Sequence, residues 1–289
     1  MALNVTFVAI EAVFGVLAGS LALVADAAHN FSDVIGLLLA WGASYLSQRA
    51  PSERRTYGWR STSIMAALLN AVLLLVVTGG IAWAAIQRFS APTQVVGGTV
   101  AWVALAGVGI NTATALLFMK GRSSDLNIRG AFLHMAADAA VSAGVVVAGM
   151  GILWTSWTWI DPLVTLLITA VILGSAWGLL RESINLALHA VPAGIDPQAV
   201  EAYLKGLAGV SAVHDLHIWA MSTTETALTA HLVRAEAHDD DLLIAEAARG
   251  LHDRFRIGHT TLQWERDEDA CCVGRSCDPV TTSAGDRST

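Results

Sequence analysis

The chain has 289 residues, of which 54% are hydrophobic and 14% charged, with a net charge of -7 and three cysteines. So little charge, about half that of an ordinary soluble domain, excludes a single water-soluble globule, and the acidic balance leaves no basic footprint for nucleic acid. The cysteines Cys271, Cys272 and Cys277 all lie near the C-terminal end, which excludes a disulfide framework holding the fold together.

Apolar residues cluster in six runs of membrane-spanning length. In chain order these are roughly Ala2–Leu23, Ala27–Leu46, Ile64–Ile86, Val95–Met119, Ile128–Trp154 and Trp159–Leu180. The first run has no basic leader and continues straight into the second, so it reads as a span and not a cleaved signal peptide. Pro51 and Pro92 fall between runs, and Asp161-Pro162 predicts an N-cap and first helical Pro for span six. Arg49, Arg54, Arg55 and Arg60 follow span two, and Lys120, Arg122 and Arg129 follow span four. The opposite links hold only Arg88. The positive-inside rule then places both termini in the cytoplasm.

Within the spans, His29 and Asp33 repeat the spacing of His134 and Asp138. A gap of four residues puts both side chains on one helix face, one turn apart. Two such helices side by side offer two imidazoles and two carboxylates, a tetrahedral donor set suited to Zn2+. Ionisable groups at membrane depth point to function. Coincidence is the bland alternative: a His has about one chance in twenty of an Asp four residues on at average composition. Yet both histidines that precede His189 have one.

Other polar residues in the spans have plainer readings. Glu11 suits an interhelical hydrogen bond better than a relay, and Asp26 suits an outer cap of span two. Asn111 and Asn185 read as helix–helix glue, while Asn70 is balanced between glue and pathway. Trp154, Trp157 and Trp159 form an interfacial aromatic belt.

After Leu188 the pattern changes. Asp196-Pro197 opens a helix to about Leu207. Val213–Met221 and Thr226–Val233 alternate as strands, Leu242–Phe255 is helical, and Thr260–Trp264 is a short strand. The predicted fold is therefore an all-α membrane domain of six helices over residues 1–188, then an αββαβ α+β domain over 189–267. A polar, Cys-bearing tail, 268–289, follows. An eighty-residue domain is small for a self-sufficient core, so metal or dimerisation would help it.

These residues carry a resemblance. Gly19-Ser-Leu-Ala-Leu-Val-Ala-Asp-Ala-Ala-His29-Asn-Phe-Ser-Asp33 resembles the signature of the cation diffusion facilitator family of zinc exporters. Tyr57-Gly-Trp-Arg, Asn70, His134-Met-Ala-Ala-Asp138 and Val213-His-Asp-Leu-His-Ile-Trp219 follow in the family's order. The resemblance implies six spans, a cytosolic ferredoxin-like domain, a homodimer in the lipid bilayer, and export of zinc against inward-moving protons. A bacterial inner membrane suits the short loops. The resemblance places the transport site at His29, Asp33, His134 and Asp138, and a cytosolic metal site at His214, His231 and Glu265. Bottom-up, His214 and His231 lie near facing strands of one hairpin, while His217 falls on the opposite strand face. Family members with Asp in place of this span-two His have broader metal ranges, so the resemblance implies that His29 favours zinc, with cadmium, cobalt, nickel or iron as the broader range.

Two family features are missing. The link Ser47–Ser61 has no Asp or His and only Glu53 as a carboxylate ligand, so a further metal site found there in some members is expected to be absent or much weakened, and the long His-rich link of some relatives is replaced by the short, basic Lys120–Arg129. The tail cysteines either join the cytosolic site, capture zinc for delivery, or are inert. Two competing classes are a zinc sensor that binds without transport and a zinc hydrolase. No HExxH and no general base beyond the ligands weigh against the hydrolase.

Overall fold

A computed structural model describes residues 2–119, 126–234 and 240–266. The chain divides into two compact units, Met1–Gly42 with Ala66–Arg181, and Ala43–Met65 with Glu182–Thr289. The tail cysteines and most of the link between spans four and five lie outside the described residues.

Six apolar helices come first: α1 (Ala2–Leu17), α2 (Leu21–Ser47), α3 (Thr62–Ser90), α4 (Gly97–Phe118), α5 (Leu126–Thr155) and α6 (Ile160–Ala187). Helices α2 to α6 are long and apolar enough to cross a membrane, and the sixteen-residue α1 is shorter. Their outward faces are apolar too, with Trp83, Trp102, Leu117, Val147, Val171 and Trp177 exposed, as lipid-facing surface requires. Trp154, Trp157 and Trp159 are likewise exposed, and the last two stack at 5.6 Å.

The first turn falls earlier than the apolar runs predict. Helix α1 ends at Leu17 and α2 begins at Leu21, not Ala27. Gly19 makes the turn at φ 68°, where a Cβ would meet the Gln94 carbonyl at 2.7 Å, so only glycine fits without displacement. Ser20 then caps α2, its Oγ accepting from the Leu23 N–H at 3.2 Å. Hydropathy passes over this break because its flanks are apolar on both sides.

Asp161 also departs from expectation. It lies inside the first turn of α6, and its carboxylate serves α2 instead of its own helix. It accepts from the Ser20 hydroxyl, the Leu21 N–H at 2.9 Å and the Ala22 N–H at 3.3 Å. Arg88 of α3 pairs with it at 3.2 Å and also donates to the Gly19 carbonyl. An anion at a helix N-terminus answers both the orphan N–H groups and the helix dipole. This clasp ties α2, α3 and α6 at one end.

Small residues let α4 and α5 approach closely. A Cβ on Gly97 would sit 2.6 Å from the Gly149 carbonyl, and one on Gly149 would sit 2.7 Å from the Ala101 nitrogen. Close backbone contact of this kind is how helices associate where lipid offers no hydrophobic drive. The apolar core around it joins Ala22, Leu23, Leu74, Val100, Ala104, Val145, Ile168 and Ile172.

The second unit holds α7 (Pro197–Lys205), β1 (Ala212–Ala220), β2 (Thr226–Val233), α8 (Asp240–Phe255) and β3 (His259–Glu265), the expected αββαβ order. Asp196 caps α7 through the Gln198 N–H at 3.0 Å, with Pro197 at the first position. The sheet order is β1-β2-β3, with β1 antiparallel and β3 parallel to β2. Leu228, Ala230 and Leu232 alternate toward a core shared with Val200 and Leu204 of α7 and Leu243, Ala247 and Leu251 of α8. Period-two alternation therefore leaves His231 on the other face. Part of the α2–α3 link docks on the β1–β2 turn: Ser61 Oγ donates to the Met221 carbonyl, the Thr223 N–H donates to Ser63 Oγ, and Arg60 pairs with Glu225 at 3.2 Å.

Candidate metal centres

Helices α2 and α5 bring the two His/Asp pairs together. His29 Nε2 lies 3.9 Å from Asp33 Oδ2 and 3.5 Å from Asp138 Oδ1, while His134 Nε2 lies 3.3 Å from Asp33 Oδ2 and 3.7 Å from Asp138 Oδ2. Each imidazole thus touches both carboxylates, closing a ring of four contacts. Ligands 2.0–2.2 Å from a tetrahedral Zn2+ stand roughly 3.3–3.6 Å apart, close to the span of these contacts. The two rings meet edge-on at 6.1 Å. Asp33, His134 and Asp138 offer atoms all within 4.8 Å of one another, and His29 joins them through the carboxylates. Asp138 is 2% exposed, and neither its Oδ2 nor the Nδ1 of His29 has a hydrogen-bond partner among the described residues. The open Asp138 oxygen belongs to the ring and suits a cation held there, whereas His29 Nδ1 lies on the far side of an imidazole whose Nε2 faces the carboxylates.

A cavity of about 320 Å3 opens beside this ring. Asp33 and His134 line it, along with Asn30, Asn70, Asn111 and Phe7. Asn70 therefore faces the site, where it also accepts from Ser32 Oγ at 3.4 Å. Asn111 lies on the buried stripe of α4, and its Nδ2 has no partner among the described residues. Asp26 is not an outer cap either. It is fully buried in α2, accepting from Ser142 Oγ at 2.8 Å and from Asn30 Nδ2 at 3.4 Å. Asn30 also reaches Glu11 Oε2 at 3.5 Å, so the expected interhelical bond of Glu11 is present but long, and Glu11 Oε1 has no partner among the described residues. The part played by Ser142 has no signal in the sequence, because a lone serine in an apolar helix carries no pattern.

The second cluster takes one residue from each strand. His214 and His231 are cross-strand partners on β1 and β2, with ring centroids 5.2 Å apart and edge-on. Glu265 at the end of β3 reaches His214 Nε2 at 2.8 Å and His231 Nδ1 at 2.9 Å. It is only 6% exposed and also accepts from Gln263 Nε2 at 3.0 Å. Two imidazole nitrogens and a carboxylate fit three positions of a zinc site, leaving the fourth for water or another ligand. Sequence reasoning misses Asp215. It sits in a bulge of β1 at φ 49°, 3.0 Å from His217 Nε2 and 3.5 Å from His231 Nε2. The bulge is a register irregularity between His214 and His217, which strand alternation does not anticipate. His217 pairs with Asp215 and is exposed, and His189 lies in the turn after α6 at φ 59°.

Comparison with known proteins accords with this geometry. The family described as cation efflux transmembrane domain matches residues 1–186, and cation efflux protein, cytoplasmic domain, matches residues 192–267. The zinc transporter ZitB of Escherichia coli is 37% identical over 94% of this chain and 86% of its own. The metal cation efflux system protein CzcD of Cupriavidus metallidurans is 36% identical over 92% of this chain and 84% of its own. A cadmium, cobalt and zinc/H(+)-K(+) antiporter of Bacillus subtilis is 32% identical over 90% and 85%. The chain is an integral membrane protein and belongs to the cation diffusion facilitator family, whose members are secondary transporters and not enzymes.

Proposed function

We propose that this protein exports zinc from the cytoplasm in exchange for protons, by alternating access through His29, Asp33, His134 and Asp138. The closed ring of four His–Asp contacts between α2 and α5 is the observation that carries the reading. Two neutral imidazoles and two carboxylates neutralise a divalent ion, which lowers the cost of holding it at membrane depth. No ligand-field preference ties Zn2+ to one geometry, so ligands on two mobile helices can take it up and release it. The relatives' names, which include zinc, cadmium and cobalt, support this substrate class.

Ligand histidines must be neutral to bind metal, and their ordinary pKa lies near cytoplasmic pH. Protons arriving from the far side therefore compete with the metal and displace it. The protein works as a homodimer in the inner membrane, with both termini cytoplasmic, where the basic links place them. His214, His231 and Glu265 hold a second zinc ion that tightens the C-terminal domain and favours a transport-ready arrangement. The link 47–61 carries no third site, since it has no Asp or His.

Zinc uptake into proteoliposomes with an imposed pH gradient tests the transport site. The intact protein accumulates zinc, and Asp33→Ala and Asp138→Ala each lose more than about 100-fold, beyond the 10–100-fold typical of residues that only support a ligand. Binding without flux in the intact protein would make it a sensor, and undiminished flux in both variants would move the site elsewhere.

A further inference from the structure

The cavity beside the ring is larger than a bare ion needs. At about 320 Å3 it exceeds the volume of six waters, roughly 180 Å3 at about 30 Å3 each. The ring contacts, in contrast, match the spacing of ligands around an ion that has shed its water. Somewhere between the two, the hydration shell must be exchanged for protein ligands.

Three amides line this cavity, and two are committed elsewhere. Asn30 donates to Asp26 and Glu11, and Asn70 accepts from Ser32. Asn111 differs. The buried stripe of α4 runs Gly97, Val100, Ala104, Gly107, Asn111 and Ala115, and Asn111 is its one polar side chain. It is 6% exposed, lines the cavity with Asp33 and His134, and its Nδ2 has no partner among the described residues. A buried NH2 group left unpaired is destabilising, and an apolar side chain would complete the stripe without that penalty. An amide with an open group on a cavity of this size takes a water or a ligand there. Its carbonyl oxygen can replace one water of a hydrated cation, its NH2 can hold a water still bound to the ion, and a half-turn of the side chain exchanges the two ends.

We infer that Asn111 is a holding point at which an arriving divalent cation, still partly hydrated, exchanges water for protein before entering the four-residue ring, and that it helps set which cations are carried. The inference rests on the transport reading above. Asn111 acts before the ion is bound, so it governs rate of entry more than final affinity.

The test compares Asn111→Leu, Asn111→Ala and Asn111→Ser with the intact protein in proteoliposomes, alongside equilibrium zinc binding to each protein in detergent. Asn111→Leu is expected to lower zinc kcat/KM about tenfold, the effect of one lost hydrogen bond in the entry step, with equilibrium affinity unchanged. Cobalt, which gives up water slowly, is expected to lose more than cadmium. Asn111→Ser, which keeps a polar group and leaves room for a water, is expected to recover most of the rate. If Asn111→Leu does not fold, Asn111→Ala carries the same expectation. Unchanged kcat/KM, or a fall that matches an equal fall in equilibrium affinity with cobalt and cadmium affected alike, overturns the inference. Asp33→Ala and Asp138→Ala, measured in the same vesicles, separate the two readings. Flux surviving in both removes the transport site itself, whereas flux lost in them but intact in Asn111→Leu removes only the holding point.

Discussion

Among single residues, the chemistry turns on which donor faces the ion. His29 closes the ring through Asp138 and Asp33, and its Nδ1 is buried without a partner among the described residues, so no hydrogen bond there fixes the ring's tautomer. Replacing it with a carboxylate should keep a cation site while making it harder. His29→Asp is therefore expected to retain metal transport, lose preference for zinc, and admit cations that favour oxygen, read as zinc uptake against manganese uptake in the same vesicles. A variant that stayed zinc-selective would show that position 29 does not set the range. In the C-terminal unit, Glu265 contacts both histidines at under 3 Å, with Asp215 behind His231. Zinc is expected to slow hydrogen exchange across β1, β2 and β3 of the full-length protein, and Glu265→Ala to abolish that protection. Equal protection in the variant would remove Glu265 from the ligand set.

Between helices, two contacts hold in place the elements that carry the proposed ligands. Asp161 is 1% exposed and serves the first turn of α2, the helix that carries His29 and Asp33 nine and thirteen residues after Ser20. Removing its carboxylate leaves Arg88 and two backbone N–H groups without their anion. Asp161→Ala is expected to lower stability by about 3–5 kcal/mol, read as a fall in unfolding midpoint in detergent. By contrast, the Arg60–Glu225 pair is more than a third exposed on both sides, and Glu225→Ala should change stability by less than about 1 kcal/mol. The α4–α5 contact is steric. Gly149→Leu has no room beside the Gly97 carbonyl and the Ala101 backbone, and is expected to abolish recovery of folded protein from membranes, judged by a monodisperse elution peak. Recovery equal to the parent protein would mean that the helices separate here at little cost.

For the molecule as a whole, export needs a driving force and a second arrangement of the helices. With membrane potential held constant, zinc uptake is expected to follow the imposed pH gradient and to collapse when that gradient is dissipated. Flux that ignores the gradient sinks proton coupling and leaves the metal site standing. The sign follows from ligand chemistry: a lower pH on the release side protonates ligands and weakens their hold on metal, so acid outside favours export. The C-terminal domains of a dimer are expected to change separation across a zinc titration, since zinc must bind two arrangements unequally to shift them. Constant separation would end the regulatory role without touching transport.

Much of the architecture is legible in the order of the amino acids. Six apolar runs, the paired His-x3-Asp spacing and the αββαβ order all follow from local rules: hydropathy over about twenty residues, one helical turn between ligands, and period-two strands. His214 opposite His231 follows from one hairpin in register. What local rules cannot express is a contact made across the fold. Asp161 capping a helix some 140 residues earlier, Asp26 buried under Ser142 and the open Nδ2 of Asn111 at a cavity each depend on which helix faces which. The bulge that turns Asp215 toward two histidines is likewise a departure from the strand period. Elements and donor types are thus written in the chain itself, because they depend on neighbours along it. Which donors share a centre, and which polar groups stay open beside it, emerges only on folding, because burial and pairing are settled by residues distant in sequence.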